Sequence, residues 1–175
     1  MSKFTNITLI RHGETEWNLS GRWQGHADSP LSSRGIAQAK ALGERIKTEE
    51  FDFFYSSDLG RAIHTSELVG SPSGMVAEPF AGLRERDLGV LEGLNTNEME
   101  QTHPQIYASF RNDGPEFEVP GGESFLQFYE RCAASIEEIA SKHKGLVAST
   151  DNFSELATGF WTLHGDVGDV SPIQA

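Results

Sequence analysis

The sequence predicts an α/β fold, a three-layer α/β/α sandwich around a mostly parallel central sheet, and three observations carry that prediction. Short apolar runs of strand character, Ile7-Thr8-Leu9-Ile10, Phe51-Asp52-Phe53-Phe54-Tyr55-Ser56 and Leu146-Val147-Ala148-Ser149-Thr150, are separated by segments of helical period. The length of 175 residues suits a single domain over residues 1–175, and a chain of this size buries roughly 70% of its unfolded surface. The first strand opens directly into Arg11-His12-Gly13, and ligands of open α/β sheets bind beyond the carboxyl ends of strands.

Taken in order, the first strand leads through a glycine-containing loop to a helix in which Ile36, Ala39, Leu42 and Ile46 recur at helical spacing, with a serine before it as N-cap. The run from Phe51 to Ser56 is short and aromatic, which favours a buried strand. Strand, helix and strand make a βαβ unit and a parallel pair. Asp58 to Val69 reads as the next helix, capped by Asp58, with Arg61 in its first turn facing the ligand edge beside Arg11. Gly70-Ser71-Pro72-Ser73-Gly74 ends it, and Met75 to Glu78 forms a short strand. Gly82 to Pro120 is a long excursion with small helices around Asn97–Thr102 and Gln105–Arg111, placed to roof the site. From about Ser124 to Lys142 runs the strongest helix, with Phe125, Phe128, Tyr129, Cys132, Ile136, Ile139 and Ala140 as one apolar stripe. Gly145 stops it, and Leu146–Thr150 is the last buried strand.

Composition narrows the function. A net charge of −12 argues against nucleic acid or an anionic membrane as partner, since binding either rests on a basic surface. The expectation is an acidic body with a locally basic pocket. No apolar stretch has the length of a membrane span and the N-terminus lacks signal-peptide character, which predicts a cytoplasmic location. Cys132 is the one cysteine, so no internal disulfide forms, and its place on an apolar helix face predicts an inert packing role. The histidines stand at 12, 26, 64, 103, 143 and 164 without the close spacing of a zinc site. Glu14, Asp28, Glu85 and Glu92 read as scattered acids, so neither metal nor cofactor is expected.

A phosphate monoester is a dianion, and its hydrolysis requires charge neutralisation, a nucleophile and a proton for the leaving group. Arg11 and Arg61 offer planar charge-assisted bonds to phosphate oxygens. His12 offers one ring nitrogen to phosphorus while a backbone carbonyl fixes the other. The wider sequence extends the pattern. Arg11-His12-Gly13-Glu14-Thr15-Glu16-Trp17-Asn18 is followed by Gly21-Arg22-Trp23-Gln24-Gly25 and Asp28-Ser29-Pro30-Leu31-Ser32. Then come Tyr55-Ser56-Ser57-Asp58-Leu59-Gly60-Arg61-Ala62, Leu83-Arg84-Glu85-Arg86-Asp87-Leu88-Gly89 with Glu92-Gly93, and Pro120-Gly121-Gly122-Glu123-Ser124. Over about residues 5–150 the chain thereby resembles the histidine phosphatase superfamily, also called the phosphoglycerate mutase-like family. The resemblance implies a phosphoglycerate mutase-like fold, a phosphohistidine on His12, Arg11 and Arg61 as the phosphate clamp, and Glu85 as general acid and base. It also implies that Asn18, Gln24 and Gly25 line the phosphate and substrate side of the pocket.

The resemblance breaks at the end of the last strand. The family carries a second histidine there, as Thr-His-Gly or Ser-His-Gly, whereas this chain has Thr150-Asp151-Asn152. A carboxylate repels the phosphoryl group that the histidine would bind, and losing one such donor typically costs ~10²–10³ in rate. His164-Gly165 ends another apolar run and is the alternative second histidine. Residues 151–175 form a divergent tail, and no lysine or arginine occurs from Gly145 onward. A reading-frame change and divergence toward a binding role are both consistent with it. Either predicts lowered stability or pairing across an exposed sheet surface, as in a homodimer.

Three functions stay open on the residues alone. The first is a metal-independent phosphomonoesterase acting on a small phosphorylated metabolite; the others are a cofactor-dependent phosphoglycerate mutase and an inactive phospho-ligand-binding remnant. Sugar phosphates, phosphoglycerates, nucleotides and cofactor precursors are all candidate substrates, because the reaction centre does not specify the leaving group.

Overall fold

A computed structural model describes residues 7–142 and 146–150. Four parallel strands, β1 (Ile7–Arg11), β2 (Phe54–Ser56), β3 (Glu78–Pro79) and β4 (Leu146–Thr150), lie in the order β1-β4-β2-β3. The predicted β1–β2 pair is corrected here: the two are parallel, but β4 lies between them, pairing Ile7 through Arg11 with Leu146 through Thr150 on one edge and Phe54 with Val147 on the other. The uncharged sequence of β4 suits the central place, where both edges are hydrogen-bonded.

Among the described residues six α-helices flank or extend the sheet: α1 (Glu16–Leu19), α2 (Ser33–Ile46), α3 (Gly60–Gly70), α4 (Thr96–Thr102), α5 (Pro104–Asn112) and α6 (Phe125–Lys142). Alternation along the strands sorts side chains to two faces. Ile10 and Phe54 pack with Ala39 of α2 and Val69 of α3, while Tyr55 packs with Leu83 and with Ile139 of α6. Helices α2 and α3 therefore cover one face and α6 the other, giving the three predicted layers.

The helix ends follow capping chemistry, with one reassignment. Ser32 caps α2 by accepting from the Gly35 amide at 3.0 Å, and Ser124 caps α6 by accepting from the Gln127 amide at 3.1 Å. Asp58 does not cap α3. The helix begins at Gly60, and it is Asp28, from a distant loop, that accepts the Arg61 amide at 3.2 Å. Asp58 is instead held by the Arg84 guanidinium at 2.6 and 2.5 Å, a two-point charge-assisted contact stronger than one amide bond. The third strand also shifts, from the expected Met75–Glu78 to Glu78–Pro79. On α6, Phe128, Cys132 and Ile139 are buried, but Tyr129 is 49% exposed and leaves the predicted stripe, because one residue along a helix rotates the side chain by about 100°.

The excursion has its own apolar cluster. Leu88, Leu91, Met99 and Val119 are buried together, and Trp23 from the loop after α1 packs against them. Gly145, His143, Asp151 and His164, together with the tail, lie outside the described residues. No helix among the described residues is long and apolar enough to cross a membrane.

Candidate active site

The carboxyl end of β1 brings Arg11 and His12 to the sheet edge, with Arg11 exposed and His12 9% exposed. His12 Nδ1 lies 2.7 Å from the Gly13 carbonyl. A carbonyl only accepts, so Nδ1 carries a proton, and in the neutral ring this puts the lone pair on Nε2. The turn is seated by close backbone packing: a Cβ at Gly13 would come within 2.5 Å of the Gly35 carbonyl at the start of α2. From the other side the Gly13 amide donates to Thr65 Oγ1 at 3.0 Å, and that hydroxyl donates to the Arg61 carbonyl at 2.8 Å. The histidine turn is thus tied to the first turn of α2 and the second turn of α3.

Arg61 is 1% exposed. Its guanidinium donates to the carbonyls of Gly25 at 2.8 Å and Ala27 at 2.9 Å, and lies 3.4 Å from Asp28. The loop that carries those carbonyls is itself pinned. Gly25 has φ of 57° and is buried, where a Cβ would meet the Glu92 carboxylate. Glu92 accepts the amides of His26 at 2.6 Å, Ala27 at 2.7 Å and Leu88 at 3.1 Å. Gln24 is buried with Oε1 3.0 Å from Thr15 Oγ1. Asn18 is exposed and closes a capping box with Thr15, accepting the Thr15 amide at 2.9 Å.

Glu85 stands in a turn of the excursion, half-buried, with its carboxylate accepting the Arg86 amide at 2.9 Å. Its carbonyl receives His26 Nε2 at 2.9 Å and Arg131 Nη2 at 3.1 Å. Arg131, on α6, also donates to the carbonyls of Gly82 and Arg84, both at 3.0 Å, and to Glu123 at 2.5 Å. Arg86 donates to the carbonyls of Glu123 and Phe117 and stacks over Phe110 at 5.0 Å. Burial lowers its pKa from the ordinary arginine value.

Four of the predicted residues, His12, Arg61, Gly25 and Glu85, fall into one connected arrangement. His12 joins Arg61 through Gly13 and Thr65, Arg61 joins Gly25 directly, and the Gly25 loop joins the Glu85 turn through His26 and Glu92. The acids considered as metal ligands have other partners: Glu14 accepts from Ser32, Asp28 caps α3, and Glu92 takes three amides. Among the described residues no group of three or more His, Cys, Asp or Glu converges as a metal site. The sequence gives no role to Thr65, His26 or Arg131, because each acts through a contact distant in sequence. Asp87 and Glu123 stand in the Leu83–Gly89 and Pro120–Ser124 segments, which are their only signals.

Residues 7–155 match the family model of the histidine phosphatase superfamily (branch 1). Among curated proteins, the chain is 41% identical to the metal-independent phosphoserine phosphatase of Arabidopsis thaliana over 149 residues, covering 82% of this chain and 62% of that protein. It is 37% identical to phosphoglycerate mutase-like protein 4 of the same plant over 145 residues, covering 81% and 63%. The chain thus spans less than two thirds of the length of these relatives. Among solved structures it superposes on the alpha-ribazole phosphatase from Shigella flexneri with a TM-score of 0.82 at 30% identity, covering 89% of this chain and 79% of that one. For the mycobacterial glucosyl-3-phosphoglycerate phosphatase the TM-score is 0.78 at 26% identity, covering 89% and 81%. The family match takes in β1, the histidine turn, α3, the Glu85 turn and β4 alike, and on it the chain belongs to branch 1 of the histidine phosphatase superfamily.

Proposed function

We propose that the protein is a phosphomonoesterase that hydrolyses a small phosphorylated metabolite through a phosphohistidine on His12, without a metal. One observation carries the reading: the Gly13 carbonyl at 2.7 Å holds the Nδ1 proton of His12, which leaves Nε2 as the nucleophile. In the first step Nε2 bonds to phosphorus and the bond from phosphorus to the ester oxygen breaks. Glu85 in its carboxylic acid form gives its proton to the departing oxygen, and Arg11 and Arg61 hold the phosphate oxygens. In the second step Glu85 takes a proton from water as that water attacks phosphorus. The phosphorus–nitrogen bond breaks, and inorganic phosphate leaves. Asn18, Gln24 and Gly25 line the phosphate side of the site in this reading. The phosphatase names of several relatives support it, and a cytoplasmic location is part of the same proposal.

Two other readings have specific support. The phosphoglycerate mutase-like relative favours transfer of the phosphoryl group to an isomeric product. Asp151 at the position of the family's second histidine favours binding without turnover. Phosphate release from p-nitrophenyl phosphate, measured with a chelator present and beside His12→Ala, separates these. Chelator-insensitive turnover that is abolished in the variant is the expected outcome; equal rates in the two proteins would remove His12 as nucleophile. With phosphoglycerates, an isomer in place of free phosphate would identify the mutase, and calorimetric phosphate binding without turnover would identify the binder.

A further inference from the structure

We propose that His26 is a positioning residue for Glu85, and that it holds the acid turn fully only when its ring carries both protons. The inference rests on the reading of Glu85 as proton donor. Both ring nitrogens of His26 face acceptors: Nε2 is 2.9 Å from the Glu85 carbonyl, and Nδ1 is 3.2 Å from Asp87 Oδ2. A neutral imidazole has one N–H, so it necessarily turns a lone pair toward one of these oxygens. The imidazolium donates to both. The backbone of His26 is held by Glu92, which accepts its amide at 2.6 Å, and Asp87 is held on its other oxygen by the Gly89 amide at 2.9 Å, so both partners start from fixed positions.

The consequence for Glu85 follows from the planarity of the peptide unit. The carbonyl that His26 holds and the Arg86 amide that holds the Glu85 carboxylate belong to the same peptide plane. Rotating that plane moves the anchor of the carboxylate. With His26 protonated, the plane is gripped by His26 on one side and Arg131 on the other. With His26 neutral, either Arg131 alone holds the carbonyl or the link to Asp87 is lost. The surrounding charges are Asp87, Asp58 with its partner Arg84, Glu92 on the His26 backbone, and Arg131 with its partner Glu123. The hold therefore weakens when the ring gives up its second proton, because only the imidazolium donates to both oxygens.

The test reads the Arg86 amide by nuclear magnetic resonance from pH 5 to 8 in the wild type, His26→Gln and His26→Ala, while the His26 ring is followed in the wild type. Glutamine places a permanent N–H donor near the Nε2 position and does not titrate. The wild-type Arg86 resonance is expected to move with the His26 ring. That movement disappears in His26→Gln, whose resonance stays near the low-pH wild-type position, and His26→Ala lies toward the high-pH position. An Arg86 amide indifferent to the His26 titration overturns the proposal, as does a glutamine variant that matches the alanine one. If His26→Ala does not fold, the wild type and His26→Gln decide between them.

A kinetic readout separates this inference from the reading beneath it. His26→Ala is expected to slow alkyl phosphates at least tenfold more than p-nitrophenyl phosphate, part of the ~10²–10⁴-fold that a placed proton donor contributes, and His26→Gln restores them. A Glu85→Gln variant that treats both leaving groups alike removes the acid role of Glu85. The amide titration needs no turnover and still decides whether His26 positions the turn.

Discussion

Arg61 shows how a single side chain is committed by its surroundings. Its guanidinium bonds two backbone carbonyls while 1% exposed, so its fork geometry is fixed before any phosphate arrives. Lysine has the charge but not the fork. Arg61→Lys is expected to lower kcat/KM by ~10²–10³, the loss typical of one preorganised contact to the transferring group, and steady-state kinetics on p-nitrophenyl phosphate check it. A change below threefold would remove Arg61 from the clamp. Cys132 makes the opposite case. Burial pushes its thiol up to about 11, so at pH 8 the thiolate fraction is about one in a thousand. Iodoacetamide is expected to label it only after denaturation, as read by mass spectrometry. At this scale the sequence displayed the residues that carry the proposed chemistry, since Arg11, His12, Arg61 and Glu85 sit in short contiguous segments. It hid the residues that hold them. Thr65 reaches Gly13 across 52 positions, His26 reaches Glu85 across 59, and Arg131 reaches Glu85 across 46, and no periodicity encodes such pairings.

Among the elements, α3 is the one whose placement decides the site, because it carries both Arg61 and Thr65. Its first turn takes its cap from Asp28, whose carboxylate also faces the Arg61 guanidinium. Asp28→Ala is expected to lower unfolding free energy by about 1–2 kcal/mol, the ordinary cost of a lost cap. Asp28→Asn should recover most of that cost, and urea denaturation compares the two. Asp58, expected as the cap, contributes through Arg84 instead. The hydrogen bond from that guanidinium is the main cause that lowers the Asp58 pKa below the ordinary aspartate value. The native state therefore favours the charged form, and the contribution is present above the unfolded value and lost as pH falls through the native one. Stability of Asp58→Asn should fall less steeply than that of the wild type below about pH 4, where an unfolded aspartate begins to protonate; parallel curves would show that the pair contributes nothing. Local capping was legible where donor and acceptor are neighbours, as at Ser32. It was illegible at α3, where an acid three decades of sequence away outcompetes the one beside the helix. The order of the sheet was hidden for the same kind of reason, since the insertion of β4 between β1 and β2 joins opposite ends of the chain.

Across the whole molecule, two cores meet along the site. The sheet and its helices form one, and the excursion around Leu91 and Met99 forms the other. Beside Trp23, polar side chains span them: Arg22 to Glu98, Glu92 to the Gly25 loop, and Arg131 to the Glu85 turn. The phosphate reading thus places a compact cationic group in a seam of a protein with net charge −12, and the two act at different ranges. Arg61 is buried, and bulk salt screens it little. The net charge acts at long range and opposes the approach of a dianion, and salt screens it readily, since the Debye length falls from ~30 Å at 0.01 M to ~8 Å at 0.15 M. The prediction is an inverted salt dependence. kcat/KM for p-nitrophenyl phosphate should rise as sodium chloride is increased from about 10 to 150 mM, while kcat, which reports the occupied site, stays within about twofold. A steep fall in kcat/KM over that range would mean that a basic funnel around Arg11, and not the acidic body, governs the encounter.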